Sequence, residues 1–382
     1  MRIVVSGGGT GGHVTPVLAL CVALRKLSKE PVAIDFIGSG SEMEHQLAEE
    51  NGLMYHVIRS GKLRRYGRGA GELLDVRTIT ANTRDAWRLT RGISDARQLI
   101  KKLNPDVVFV KGGYVGLPVG LAARRLKLPL VIHESDTVMG LTNRVLSTYA
   151  QVVATGFPAD SLHNIKSTAR VVATGNPVRQ AVLDGDRIRA QRHFGLDGVR
   201  PTILFIGGSL GAHAINQAVF SVIDNLVETY NVIHQTGDRE IDAAMFRRQK
   251  LADKMRDRYV PQAFFQAELA NAYALADIVV TRCGANVLAE LALLSKPTIL
   301  VPLPNSANGH QLKNAQYLLK KGAARMIEQS KLTPITLRAT IDNLVDSVSD
   351  QKYLGQALHR LAEPDAAERL AEIILNIGGQ AL

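Results

Sequence analysis

The sequence predicts an α/β protein made of two Rossmann-like domains, each with a mostly parallel sheet. Three observations carry this reading. Short apolar runs bounded by Gly and Pro alternate with longer helical patterns along the whole chain, the mark of buried parallel strands joined by helices. Two of those runs lead directly into a glycine-rich turn and then a helix, about 200 residues apart, as two nucleotide-type domains would require. The chain has 382 residues, and at roughly 150 residues per domain that length suits two domains.

The first series of strand candidates covers residues 3–5, 33–37, 107–110, 130–133, 152–154 and 171–173. Gly7-Gly8-Gly9-Thr10-Gly11-Gly12-His13 follows the first of them. Gly175-Asn176-Pro177-Val178 then reads as a turn after a strand and marks the domain boundary. The second series covers residues 203–206, 232–234, 278–281 and 298–301, and Gly207-Gly208-Ser209-Leu210-Gly211 follows its first member. Near the end, Pro364-Asp365 followed by leucine at helical spacing reads as a helix start.

Composition narrows the class further. Hydrophobic residues make up 46% and charged residues 21%, which excludes a chiefly disordered or fibrous chain. The two cysteines, Cys21 and Cys283, stand far apart with no Cys/His cluster near either, so neither a disulfide framework nor a structural zinc site is expected. A reducing cytoplasm fits this usage. The first residues run straight into glycines without the apolar stretch of a signal peptide. The longest apolar run near them, residues 17–24, is eight residues long, against about 20 for a membrane span. A soluble chain able to lie on a membrane is expected.

Glycine-rich strand-to-helix turns bring bare backbone and a helix N-terminus to a diphosphate. Neither turn matches the dinucleotide fingerprint cleanly, and no Gly-Lys-Ser/Thr follows, so a P-loop is out. Two such turns suggest two ligands, or one gripped across a cleft. His13 opens the helix after the first turn, where it is either a general base or a structural hydrogen-bonding residue. Gly112-Gly113-Tyr114 and His133-Glu134-Ser135-Asp136 end two further strands, at the edge where open α/β sheets gather ligands. Arg282-Cys283-Gly284-Ala285-Asn286 ends another, with Glu290 on the helix beyond. A carboxylate there either accepts both ribose hydroxyls or simply complements the helix dipole. His310-Gln311, after a polar loop, is a candidate reader of sugar hydroxyls. Arg179, just past the boundary, is a candidate bidentate partner for a diphosphate. No acidic cluster resembles a metal site, so no obligatory cofactor or metal is expected.

Charge is unevenly spread. The total is +11, from 46 Lys+Arg and 35 Asp+Glu. Up to Gly175 there are 23 basic and 14 acidic residues, leaving +9 in the first domain. Residues 59–102 alone hold twelve basic and four acidic residues, interleaved with Leu73, Leu74, Ile79, Trp87, Leu89 and Ile93. Such a window suits an anionic membrane surface, at about 1 kcal/mol per basic residue. A solvated basic helix face over ordinary core is the plainer alternative. Nucleic acid is disfavoured as a partner, because the window is poor in aromatics and no nucleic-acid motif is present.

Taken together the motifs resemble the MurG family of bacterial peptidoglycan glycosyltransferases, the undecaprenyldiphospho-muramoylpentapeptide β-N-acetylglucosaminyltransferases. The resemblance rests on Gly8-Gly9-Thr10-Gly11-Gly12-His13-Val14, Gly112-Gly113-Tyr114-Val115, His133-Glu134 with Gly140-Leu141-Thr142-Asn143, and Gly175-Asn176-Pro177-Val178-Arg179. It continues through Gly207-Gly208-Ser209 with Gly211-Ala212 and Asn216, Gly284-Ala285 with Glu290, and Gln311 with Asn314-Ala315. These run in order over nearly the whole chain, and in series they are specific.

The resemblance implies a glycosyltransferase-B fold: two Rossmann-like domains facing across a cleft, with the C-terminal helix returning to the first. It implies an N-terminal acceptor and membrane-associated domain over residues 1–178 plus about 362–382, and a donor domain over 179–361. It implies inverting transfer of GlcNAc from UDP-GlcNAc to the MurNAc 4-hydroxyl of undecaprenyl-diphospho-MurNAc-pentapeptide (lipid I), giving lipid II, at the cytoplasmic face of the cell membrane. By similarity the donor site uses Thr10, Gly11, Gly12, Arg179, Ser209, Gln266, Ala285, Asn286, Val287, Leu288, Ala289, Glu290 and Gln311. Glu290 would hold the ribose, the backbone near Phe265-Gln266 the uracil, and Ser209 with its glycines the diphosphate. His13 is the candidate base. Tyr114, His133, Glu134, Asp136, Asn143, Asn216 and His310 are candidates for the cleft or acceptor side. Other cell-wall enzymes are conceivable partners. The sequence departs from the common pattern at Asp136, where asparagine is frequent, at Leu210, where glutamine is, and at His310. A charged Asp136 near a diphosphate would repel it. A UDP-GlcNAc 2-epimerase, or another glycolipid-directed sugar transferase of the same fold, is the alternative.

Overall fold

In the computed structural model, residues 1–8, 11–61, 76–162, 169–208 and 211–380 are described. The chain forms two compact units, one of residues 1–178 and 365–382, the other of residues 179–364.

The first unit is built on a seven-stranded, wholly parallel sheet: β1 (Arg2–Ser6), β2 (Ala33–Gly38), β3 (Met54–Val57), β4 (Val107–Val110), β5 (Leu130–Glu134), β6 (Val152–Thr155) and β7 (Arg170–Ala173). Its order is β3-β2-β1-β4-β5-β6-β7. Register is set at the centre, where Val4 pairs with Asp35 of β2 and Val108 of β4. The central strands are buried on both faces and therefore read as unbroken apolar runs. Helix Gly11–Leu27 and the last helix, Ala366–Ile377, cover one face, burying Val14, Leu18, Leu370 and Ile374 with Ile3 and Phe109. The last helix therefore belongs to the first unit, held also by Lys26 to Glu368 (3.3 Å) and Ser28 Oγ to Gln380 Oε1 (2.8 Å). Helices Val76–Leu103 and Gly113–Arg125 cover the other face, around Ile100, Val119 and Ile132.

The second unit carries a six-stranded parallel sheet: β8 (Thr202–Ile206), β9 (Asn231–Gln235), β10 (Tyr259–Gln262), β11 (Ile278–Thr281), β12 (Thr298–Leu300) and β13 (Arg325–Met326). Its order is β10-β9-β8-β11-β12-β13. Helix His213–Thr229 packs on helix Pro334–Val345 over this sheet, with Val219, Ile223, Leu337 and Ile341 in the core. The second helix starts on a reciprocal capping box between Thr333 and Thr336, with Pro334 in its first turn.

Both sheets reverse direction of growth at their first strand. The switch falls between β1 and β4 in one unit and between β8 and β11 in the other. Ligands of open α/β sheets gather at the strand carboxyl ends there, which is where the glycine turns lie.

Candidate functional site

In the first unit, Gly7 and Gly8 leave β1 and the helix from Gly11 begins three residues after Gly8. Thr10 lies outside the described residues, while Gly11 and Gly12 form the first helical turn. The turn is close-packed: a Cβ at Gly7 would come within 2.6 Å of the His13 carbonyl oxygen. After β4, Gly112 and Gly113 take φ of +110° and +76°, which favour glycine. A Cβ on Gly112 would lie 3.3 Å from Asn143 Nδ2 and 3.6 Å from the His13 ring, and one on Gly113 would strike the Gly8 carbonyl. His13, Gly112 and Asn143 thus meet at one strand edge, with Tyr114 half-buried on the helix that starts there.

Asn143 (3% exposed) donates from Nδ2 to the His133 carbonyl and to Glu134 Oε2, both at 2.9 Å. Glu134 also accepts from the Gly140 N–H (2.8 Å) and the Asp136 N–H (3.1 Å). Burial and the neighbouring Asp136 push its carboxyl up, against these donors. His133 is fully buried, and its Nε2 donates to the Gly175 carbonyl at 2.9 Å, tying β5 to the segment ahead of Arg179. Burial, with Lys111 nearby, holds its imidazole well below the usual range, so it is neutral. Lys111, at the end of β4, is 2% exposed and donates to Ser135 Oγ.

In the second unit, Ser209 and Leu210 lie outside the described residues, but Gly208 ahead of them is held from below. Gln235, at the end of β9, donates from Nε2 to the Gly208 carbonyl (2.8 Å) and accepts the Phe265 N–H at Oε1 (3.3 Å). Gln266 is exposed, and its own N–H goes to Glu268 Oε2 at 3.1 Å. The N–H groups of Phe265 and Gln266 are therefore engaged within the unit.

Asn216 is fully buried and its amide is spent inside the unit. Nδ2 donates to the Thr236 carbonyl (2.7 Å) and Glu240 Oε2 (2.5 Å), and Oδ1 accepts from His234 Nε2 (3.0 Å). His234 Nδ1 then accepts the Tyr259 hydroxyl (3.0 Å), an assignment that fits an imidazole pushed down to about 3 by burial. Asn216 thus fixes the Thr236 backbone, against which Gly211 packs at φ +75°.

Helix Ala285–Leu293 starts from Gly284 after β11. Ala285 and Leu288 face the core, whereas Asn286, Val287, Ala289 and Glu290 are partly exposed. Tyr273 donates its hydroxyl to Glu290 Oε2 at 2.8 Å. Burial pushes the Glu290 carboxyl up to about 7, opposed by the Tyr273 hydroxyl and by the charge of Arg179. Arg179 and Glu290, singled out separately from sequence, are thus electrostatic neighbours. Gln311 Oε1 accepts the N–H groups of Leu303 (3.0 Å) and Cys283 (3.3 Å), bridging the ends of β12 and β11. His310, half-buried, opens the helix His310–Lys320. Tyr273, Gln235 and Lys111 have positions here that no motif indicated.

Part of the basic window, residues 62–75, with Lys62, Arg64, Arg65, Arg68, Leu73 and Leu74, lies outside the described residues. On the described part of its helix, Ile93 is core and Leu89 packs partly against core, whereas Trp87 is 53% exposed with Arg91 stacked 5.0 Å from its ring. Arg59 is committed to Asp95 through a two-pronged ion pair, Nε–Oδ2 2.7 Å and Nη2–Oδ1 2.5 Å. Among the described residues no helix is long and apolar enough to cross a membrane, and no group of three His, Cys, Asp or Glu side chains could hold a metal ion.

Comparison with known proteins places these features in a family. Residues 3–155 match the glycosyltransferase family 28 N-terminal domain and residues 202–370 the C-terminal domain of that family. A UDP-N-acetylglucosamine–N-acetylmuramyl-(pentapeptide) pyrophosphoryl-undecaprenol N-acetylglucosamine transferase of Lachnoclostridium phytofermentans is 37% identical over 374 residues, 98% of each chain. One of the same description from Shouchella clausii is 38% identical over 344 residues, 90% of each. Among solved structures, Acinetobacter baumannii MurG superposes with a TM-score of 0.72 at 27% identity, covering 98% of this chain and 99% of that one. A UDP-N-acetylglucosamine 2-epimerase described as putative, from Listeria monocytogenes, reaches 0.71 at 15% identity, covering 100% and 97%, a likeness of fold alone. The chain belongs to the family 28 glycosyltransferases, within the MurG family of UDP-N-acetylglucosamine–N-acetylmuramyl-(pentapeptide) pyrophosphoryl-undecaprenol N-acetylglucosamine transferases.

Proposed function

We propose that this enzyme transfers GlcNAc from UDP-GlcNAc to the MurNAc 4-hydroxyl of lipid I, forming lipid II with inversion at the sugar C1. The observation that carries this reading is full-length kinship to transferases of that description, joined to glycine turns at the switch points of both sheets. The first unit is assigned the acceptor and the membrane surface, the second the donor nucleotide.

In the second unit, Glu290 accepts the ribose hydroxyls, its carboxylate oriented by Tyr273. Gln311 fixes the strand ends beneath the sugar, and Gln266 borders the base. The glycine turn at Gly207 and Gly208, with Ser209, receives the diphosphate, and Arg179 adds positive charge to it. In the reaction the acceptor oxygen forms a bond to C1 while the bond from C1 to the β-phosphate oxygen breaks. UDP leaves with the electron pair, and the proton of the acceptor hydroxyl passes to a base. His13, set against the Gly112-Gly113 turn, is assigned that role. Growing negative charge on UDP is offset by backbone N–H groups and by Arg179. Thr10, Gly11 and Gly12 are assigned to the transferred sugar. Tyr114, Glu134, Asn143 and the loop through Asp136 shape the acceptor side, and His310 flanks Gln311.

The exposed Trp87 and the basic residues along its helix dock this unit on anionic lipid at the cytoplasmic face of the membrane, as a peripheral protein. The deciding experiment is incubation with UDP-GlcNAc and a lipid I analogue. Lipid II and stoichiometric UDP are expected. Release of UDP without acceptor dependence, or formation of the 2-epimer, would overturn the reading.

A further inference from the structure

The carboxyl end of β5 carries two acidic residues, Glu134 and Asp136, at the edge assigned above to a diphosphate-bearing acceptor. Their charge opposes such a ligand. Lys111 lies beneath them. Its ammonium is almost wholly buried and donates to Ser135 Oγ, the residue between the two acids. Burial lowers it to about 8, while the fields of Glu134 and Asp136 oppose that fall and keep it mostly charged at neutral pH. The loop is pinned elsewhere as well: Asn176 Nδ2 donates to the Ser135 carbonyl at 3.1 Å, and Glu134 Oε1 accepts the Asp136 N–H at 3.1 Å.

Burying a lysine at this position is a poor way to gain stability, since an apolar side chain of similar length would fill the space without desolvating a charge. The arrangement also leaves His133 Nδ1, Asn143 Oδ1 and Asn176 Oδ1 buried without a hydrogen-bond partner among the described residues. All three belong to residues bonded to this strand end or its loop. Buried polar groups kept in that state call for an explanation beyond packing alone.

We infer that Lys111 is a positioning residue for the acceptor: as the internal counter-charge of Asp136 it fixes the Glu134–Asp136 loop and cancels the carboxylate field that would repel the acceptor diphosphate. The inference rests on the acceptor assignment above. It explains how a chain with aspartate at position 136 can handle an anionic substrate. It also makes a specific demand: the charges at 111 and 136 matter as a pair.

The test is a double-substitution cycle with Lys111→Met, Asp136→Asn and both together, assayed for lipid II formation. Lys111→Met is expected to raise the acceptor KM by about tenfold or more, because like charge is left facing the ligand. The KM for UDP-GlcNAc and the melting profile of the second unit stay as in the parent. Adding Asp136→Asn to Lys111→Met removes the uncompensated charge and recovers most of the lost acceptor KM. Lys111→Gln, which keeps a donor for Ser135 without the charge, serves if the methionine variant folds poorly, and the same rise in KM is expected of it. An unchanged acceptor KM in Lys111→Met and Lys111→Gln, or a double variant no better than Lys111→Met, would overturn the inference. A parent enzyme that converts UDP-GlcNAc without using the acceptor would instead overturn the acceptor assignment itself.

Discussion

Glu290 offers the sharpest quantitative test of the proposed donor site. Its carboxyl is pushed up to about 7 by burial, even with the Tyr273 hydroxyl and Arg179 favouring the charged form. A carboxylate that accepts two ribose hydroxyls must be ionised, since a protonated carboxyl would have to donate one of its bonds. With a midpoint near 7, about a tenth of the free enzyme is ionised at that position at pH 6 and about nine-tenths at pH 8. Binding confined to the ionised form weakens by the same fraction. The Kd for UDP-GlcNAc should therefore rise about tenfold from pH 8 to pH 6, with proton release on binding across that interval. Titration calorimetry in buffers of different ionisation enthalpy reads both quantities. UDP-GlcNAc is the right probe because its diphosphate is esterified at both ends and has no proton to lose near neutrality. Glu290→Gln should flatten the profile and weaken binding at pH 8. Since a raised carboxyl favours the folded state only while it is protonated, its stabilising effect is lost as pH rises through 7. The glutamine variant should accordingly melt higher at pH 8, by roughly 2–4 °C. A flat profile for the parent enzyme, or a variant that keeps the slope, would refute the argument.

Three further outcomes are expected. His13→Ala should lower kcat by about 10²–10⁴ while UDP-GlcNAc binding is retained; near-full turnover would remove His13 from the chemistry. Asn216→Ala deprives His234 and Glu240 of a buried partner and should cost about 2–3 kcal/mol in urea unfolding, and an unaltered midpoint would contradict the network described here. Reversing four exposed charges, Arg91, Arg97, Lys101 and Lys102, to glutamate should weaken binding to anionic vesicles by at least about a hundredfold at low salt; undiminished co-sedimentation would return that helix to being an ordinary solvated face.

All ten apolar runs read from the sequence are strands in the structure. The three strands missed, β3, β10 and β13, sit at sheet edges. Met54-Tyr55-His56-Val57 is only half-covered, β10 contains Pro261, and β13 has two residues, so none presents the continuous apolar run of a central strand. The glycine turns were legible because their constraint is local. The groups that support them were not, because each reaches across the fold: Lys111 to Ser135, Gln235 to Gly208, Tyr273 to Glu290. Such pairs leave no spacing signature, since strand order rather than sequence separation brings them together. Ile93 shows the reverse limit. It interleaves with basic residues in the sequence, yet the helical period turns it into the core while Trp87 faces out.

The last helix, Ala366–Ile377, closes the core of the unit that was synthesised first. During translation the first sheet must wait, with the apolar surface over Leu18 and Ile3 uncovered, until the whole second unit has emerged. The second unit meets no such delay, because its residues are contiguous. Premature termination near residue 364 would therefore leave the second unit whole and damage the opposite end of the polypeptide, with exposed apolar surface there as the route to aggregation and proteolysis.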